Sequence, residues 1–306
     1  MVRTTKNTAA MQRFASIDIG TNTALLLIAD VVDGKITKTI ADEHAIPRLG
    51  EGVYIDGMIR PEAIQRVLSV VERYRTLIKG ASVYSAAAVA TAALRNAANA
   101  AEIAGALQQA LGDIPLHVID GHMEAELTYL GVVGSETKQC GVIDVGGGST
   151  ELVWPTDTDK LQHISMEVGA VRLTDAWLRG IIPYGTVTMQ LVPSSATECS
   201  WFAVAGTPVA LAVLDKELVQ FDGDQLEGYT LTLERIQHWT KQLLERRLDS
   251  RQLNAIPEGR LDILPAGATI LGSLMLQTNV PQITVCTRGL RHGVLHALQK
   301  RTSFTK

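Results

Sequence analysis

Short apolar runs broken by tight turns open the chain. One covers residues 14–19, Gly20 to Thr23 interrupts it, and a second covers residues 24–32. Asp33-Gly34 then divides that run from an alternating stretch at 35–40. An Asp-Gly pair between apolar runs is a strong hairpin signal, so the segment predicts a three-strand meander. The rhythm changes at Pro61. Ile64, Val67, Leu68, Val71, Tyr74 and Leu77 recur at helical spacing, Pro61 suits a first helical turn, and a helix is predicted over 61–79. Its charges Glu62, Arg66, Glu72 and Arg73 form the solvent face. A buried strand at 82–89, an alanine-rich helix at 98–111 and a strand at 116–119 follow.

The opening pattern then recurs. Residues 141–145 and 151–154 are apolar runs on either side of Gly146-Gly147-Gly148, and Pro155 stops the second, which predicts strand-turn-strand. Ile17-Asp18-Ile19-Gly20 and Ile143-Asp144-Val145-Gly146 lie about 126 positions apart, a spacing that fits a duplicated half rather than a short repeat. Further strands are predicted at 161–168, 201–204 and 283–286, an amphipathic helix at 233–248 and an apolar core helix after Arg260; residues 184–200 carry little periodicity.

Three consecutive glycines let backbone amides converge into a nest for an anion such as phosphate. A dinucleotide fingerprint would open a helix, and a Walker A loop would end in Gly-Lys-Ser/Thr; the chain shows neither here. Asp144 and Glu151 flank the turn. Carboxylates beside a phosphate call for a cation between them, and Mg²⁺ commonly bridges the two. The alternative is a structural glycine hairpin with two solvated acids.

Composition narrows the classes. The chain has 306 residues, 46% of them hydrophobic, enough for two domains. A net charge of −4 gives no general basic field for nucleic acid, so a polyanionic substrate would need local arginines. Three dispersed cysteines, Cys140, Cys199 and Cys286, point to a reduced, cytoplasmic setting. The first twelve residues lack a signal-peptide core and no apolar run is long enough to span a membrane, so no membrane partner is expected.

Asp18-Ile-Gly-Thr-Asn-Thr and Val142-Ile-Asp-Val-Gly-Gly-Gly-Ser-Thr-Glu-Leu, in this order and separation, resemble the exopolyphosphatase and guanosine pentaphosphate phosphohydrolase (Ppx/GppA) family. The resemblance implies an α/β fold of two actin-like (ribonuclease H-like) domains, expected at 1–126 and 127–306, with phosphates clamped in the cleft between them. The last helix is expected to pack back on the first domain, and the assembly to be a homodimer. Arg48 stands where the family has an arginine before Leu-Gly, and Arg95 where it presents one toward the cleft; alone, the first could be a solvated loop charge and the second a helix cap. Asp120-Gly-His-Met-Glu resembles the family's Gly-x-Glu-Glu-Ala, which makes Glu124 the water-activating base, with Met123 in place of the first acid. On chemistry alone Glu124 could equally be a helix N-terminal acid favoured by the macrodipole. Gly169-Ala-Val-Arg-Leu-Thr matches the family and sets Arg172 at a helix start facing the cleft. Ala205 replaces the first glycine of a Gly-Gly-Thr turn, and His292 stands where Glu is common.

Together these readings imply an exopolyphosphatase that releases orthophosphate from polyphosphate ends with Mg²⁺, or a guanosine pentaphosphate phosphohydrolase. Glu124 and Glu151 are the candidate catalytic acids, and Asp144 and Glu151 the candidate metal ligands. Thr21, Asn22, Thr23, Arg48, Arg95, Gly146, Gly147, Gly148 and Ser149 are the candidate phosphate contacts. The sequence ends soon after the second half, which leads to an expected preference for shorter chains. Rival readings are an actin-fold kinase, which would transfer phosphate from ATP, and a silent phosphate or alarmone sensor, which would bind without releasing phosphate.

Overall fold

The computed structural model describes residues 11–134, 140–156, 160–193, 199–302 and 304. Residues 1–10 of the polar opening and 194–198 of the weakly patterned segment lie outside these. The opening meander is present as β1 (Gln12–Ile19), β2 (Ala24–Val32) and β3 (Lys35–Ala45). Asp33 and Gly34 hold φ of 49° and 75°, the left-handed pair that a two-residue hairpin requires. β3 runs past its predicted end because Ala41 to Ala45 continue to pair with Ile28 to Ala24 of β2.

With β4 (Ser85–Ala90) and β5 (Leu116–Val118) these strands make one sheet in the order β3-β2-β1-β4-β5. The second sheet contains β6 (Cys140–Val145), β7 (Thr150–Pro155), β8 (Leu161–Met166), β9 (Ser200–Val204), β10 (Thr230–Thr232) and β11 (Gln282–Val285). Its order, β10-β11-β9-β6-β7-β8, repeats the first from the other edge. In both sheets a leading strand pairs antiparallel with the next in sequence and parallel with the first strand after the meander. Among the described residues only β10 is added, antiparallel to β11. The duplication read from two Asp-x-Gly turns is therefore a duplication of topology, and the fold is the two-sheet, actin-like one.

Helix Pro61–Gly80 buries Ala63, Val67, Val71, Tyr74 and Ile78 against the first sheet, and its Tyr74 hydroxyl donates to the Ala24 carbonyl at 2.8 Å. The helix predicted over 233–248 stops at Leu244, and Arg246 turns left-handed at φ 54°. Arg246 and Arg247 therefore follow the helix instead of closing its last turn. Each sheet carries its own apolar core, one around Ile17 and Tyr74, the other around Trp154 and Trp201.

Two helices join these cores. The junction helix Gly121–Val133 leads from the first sheet to the second, and the C-terminal helix Leu290–Gln299 packs on it and on β1. A Cβ on Gly293 would overlap the Leu127 carbonyl, and one on Gly131 would overlap the Gly289 carbonyl. Only bare backbone lets the two helices cross this closely. The Ser16 hydroxyl, buried in β1, donates to the Arg291 carbonyl at 2.7 Å and fixes the C-terminal helix on the first sheet.

Candidate active site

The two glycine turns are built alike. Gly20 N–H donates to the Thr23 carbonyl at 2.9 Å, and Gly146 N–H donates to the Ser149 carbonyl at 3.0 Å. The first turn is braced by Arg48 N–H on the Asn22 carbonyl and Gly50 N–H on the Thr21 carbonyl, at 3.1 and 2.7 Å. The second is braced by the start of helix Ala170–Leu178. Ala170 N–H bonds the Gly146 carbonyl at 2.9 Å, Val171 N–H the Gly147 carbonyl at 2.8 Å, and Arg172 Nε the Gly148 carbonyl at 3.0 Å. In a trans peptide the N–H points away from the carbonyl. Tying three successive carbonyls on one side thus turns the amides of Gly147, Gly148 and Ser149 to the other. The Gly146 amide is used in closing the turn.

The turns face each other. A Cβ on Gly147 would lie 2.9 Å from the Thr21 Cβ, and one on Gly148 2.8 Å from its Oγ1. Between the sheets lies a cavity of about 320 Å³ whose wall includes Asp18, Thr21, Asn22, Thr23, Glu124, Asp144 and all of Gly146 to Ser149. The two polar turns and the junction helix thus open on one space.

Three carboxyls, Asp18, Glu124 and Asp144, line it, and a fourth, Glu151, is buried behind Asp144. Asp144 pairs directly with Glu151 across the β6–β7 hairpin, and Glu151 pairs with Ser165 across β7–β8, so the three share one face of the sheet. Glu151 is 1% exposed; its Oε1 accepts from the Ser165 hydroxyl at 2.9 Å, and its Oε2 has no hydrogen-bond partner among the described residues. Glu124 Oε2 accepts from Arg95 Nη1 at 2.6 Å. The same nitrogen donates to the Ile119 carbonyl at 2.9 Å, and Arg95 Nη2 lies 3.5 Å from the Ser149 hydroxyl.

The electrostatics follow from burial and crowding. Burial, then the Glu124 charge, pushes Asp18 up to about 7 against the pull of Arg291. Burial, then Glu124 and Asp18, pushes Asp144 up to about 8. Glu151 is raised well above the carboxylate range by burial, Glu124 and Asp144. Glu124 is raised by burial as well, but Arg95 opposes the rise through both charge and hydrogen bond. Of the four, Glu124 is the acid with a guanidinium directly on its carboxylate.

The structure thus gathers Thr21, Asn22, Thr23, Arg95, Glu124, Asp144, Gly146 to Ser149 and, behind Asp144, Glu151. Arg48 stands apart: its guanidinium pairs with Asp262 at 2.6 Å across from the first sheet, outside the cavity wall. Arg172 lies 4.3 Å over the Tyr54 ring, and Tyr54 reaches from the first half to press its buried hydroxyl against Gly148. Glu126 lies at the surface beside His122, and Met123 packs into apolar core. Among the described residues no three His, Cys, Asp or Glu side chains form a metal cage by themselves.

Sequence reasoning gave no role to Asp18, although its position as the twin of Asp144 was the available signal. Arg260 was missed as well; its side chain lines the cavity behind Gly206, and burial lowers it to about 10. Ala205, on the same wall, holds φ 69° and ψ −169°, a conformation that glycine normally supplies. Tyr54 had no sequence signal at all.

The chain matches the Ppx/GppA phosphatase family over residues 27–302. It is 30% identical to exopolyphosphatase 2 of Mycobacterium tuberculosis over 94% of this chain and 99% of that one. A guanosine-5'-triphosphate,3'-diphosphate pyrophosphatase of Pseudoalteromonas translucida is 26% identical over 93% of this chain and 59% of its own length. The crystal structure of the Aquifex aeolicus member of the Ppx/GppA family superposes with a TM-score of 0.73 at 27% identity, covering 96% of this chain and all of that one.

Proposed function

Because the chain belongs to the Ppx/GppA phosphatase family, we propose that it is an exopolyphosphatase, hydrolysing the terminal phosphoanhydride of polyphosphate and releasing orthophosphate. The observation that carries the reading is the convergence of Glu124, held by Arg95, with the outward amides of the second glycine turn on one cavity. The amides of Gly147, Gly148 and Ser149 and the polar groups of Thr21 to Thr23 cradle the terminal phosphate from two sides, and Arg95 beside Ser149 offsets its charge. Arg48 can join them by leaving Asp262, since an ion pair this exposed is worth little.

Glu124 takes a proton from the attacking water. A base must be ionised to work, and Arg95 favours the carboxylate form that burial disfavours. Glu151, paired beside Asp144, is the second candidate for orienting that water. The donor set also fits Mg²⁺: Asp144 and Glu151 would be neighbouring oxygen ligands, the Glu151 Oε2 is buried without a partner among the described residues, and Mg²⁺ typically takes one or two carboxylates with phosphate and water completing its shell. When bound there, the ion would neutralise charge developing on the phosphate oxygens.

One observation favours a second substrate. Val209, Val213, Phe221 and Ile256 give the same cavity an apolar wall. Inorganic polyphosphate has nothing to place against it, whereas the purine of guanosine pentaphosphate has. Supplying each substrate with Mg²⁺ and following free phosphate separates the two, and repeating the assay with Glu124→Gln tests the base. Phosphate release from neither substrate would overturn the proposal.

A further inference from the structure

A threonine on a helix can spend its hydroxyl on the helix's own backbone, and most of those in this protein do. Thr76, Thr174, Thr240, Thr269 and Thr278 each donate to the carbonyl four residues back, at 2.7–3.0 Å. Thr128, inside the junction helix, departs from that pattern. It is 1% exposed, and its hydroxyl bonds neither the Glu124 carbonyl nor any other group among the described residues. A buried hydroxyl that gives up its backbone acceptor is unfavourable unless another acceptor takes its place.

The acceptor at hand is Asp144. The junction helix packs on β6 and β7, and a Cβ on Gly121 at its start would lie 2.7 Å from that of Ser165, whose hydroxyl holds Glu151. Thr128 follows Glu124 by one turn of this helix. Its hydroxyl stands beside the Asp144 carboxyl and favours the ionised form, without the alignment of a full hydrogen bond. Burial, Glu124 and Asp18 act on the same carboxyl in the opposite direction. An ionised carboxylate has two acceptor oxygens, and a hydroxyl bonds it more strongly than it bonds a neutral acid. One oxygen taken by Thr128 leaves the other for the cavity that Asp144 lines.

We propose that Thr128 is a positioning residue for Asp144: its hydroxyl donates to one carboxylate oxygen and so directs the other toward the bound cation. The inference rests on Asp144 as a ligand of Mg²⁺ and adds the group that orients it. The bond completes when Asp144 carries its charge, which a cation favours. The orphaned hydroxyl is then satisfied at the moment the ion is held.

The test uses the full-length protein with Thr128→Val, which keeps the shape and removes the hydroxyl, and Thr128→Ser, which keeps the hydroxyl. Two responses to Mg²⁺ are followed: the half-saturating concentration for phosphate release from tripolyphosphate, and the rise in Tm without substrate. Thr128→Val is expected to need about 10–100-fold more Mg²⁺ in both, the loss typical when a group orienting a metal ligand is removed. Its rate should recover as Mg²⁺ is raised, and its metal-free Tm should not fall. Thr128→Ser should stay within about threefold of wild type. An unchanged Mg²⁺ requirement in Thr128→Val would overturn the role, as would a Thr128→Ser protein impaired as much as the valine variant, because packing of the methyl group would then be the cause. If the wild type answered Mg²⁺ in neither measurement, the assignment of Asp144 to the ion would fail and this role with it; a wild-type response shared in full by the valine variant would remove Thr128 alone.

Discussion

Replacing Glu124 by Gln separates catalysis from stability at this site. The substitution keeps the shape of the side chain and removes its ability to take a proton. General-base catalysis contributes roughly 10²–10⁴-fold, about 3–5 kcal/mol of the barrier, and kcat should fall by that amount. Stability should move far less, because two effects oppose each other. Arg95 loses its counter-ion at 2.6 Å but keeps the Ile119 carbonyl at 2.9 Å. Asp18, Asp144 and Glu151 meanwhile each lose a negative neighbour that raises their pKa. The expected change in urea unfolding is within about 1 kcal/mol, well below the ~3–5 kcal/mol typical of breaking a buried ion pair. Initial rates of phosphate release at saturating Mg²⁺, with urea titration of the same preparations, measure both quantities. A kcat within tenfold of wild type would show that another group activates the water. A loss of several kcal/mol in stability would show that Arg95 depends on Glu124 and that the acids do not repel as their crowding requires.

Three further outcomes follow from the same geometry. Asp18 and Asp144, raised to about 7 and 8, hold protons in the folded protein that the unfolded chain has released. In the metal-free protein these two acids therefore contribute stability that is fully present near pH 4 and is lost as pH rises toward 8. Mg²⁺ should raise the Tm more at the upper end of that window, and a Tm that is flat or rising through it without metal would contradict the crowding. Gly293→Ala sets a Cβ against the Leu127 carbonyl, so the two joining helices must separate; a loss of about 1–3 kcal/mol in urea unfolding is expected, with reduced activity because Glu124 and Arg291 ride on those helices. Ala205→Gly should do the opposite, since φ 69° and ψ −169° strain an alanine; a gain of about 1–3 kcal/mol is expected, and no gain would mean that the strain is absent.

What the sequence determined by itself was local. Hairpin signals at Asp33-Gly34 and Gly146-Gly147-Gly148, the helical spacing after Pro61 and the recurrence of Asp18 at Asp144 depend on neighbours a few positions away, and with the family resemblance they gave the duplicated sheets and most of the candidate site. The tertiary structure decided what depends on groups far apart in the chain. Arg48 is engaged by Asp262, Tyr54 reaches Gly148, and Arg291 returns from the C-terminal helix to stand by Asp18. No periodicity encodes such meetings, because they are set by how two sheets and two closely crossed helices pack. The same packing, by excluding water from four acids that look alike in the sequence, sets apart Glu124, paired to Arg95, from the three that lack a direct cation.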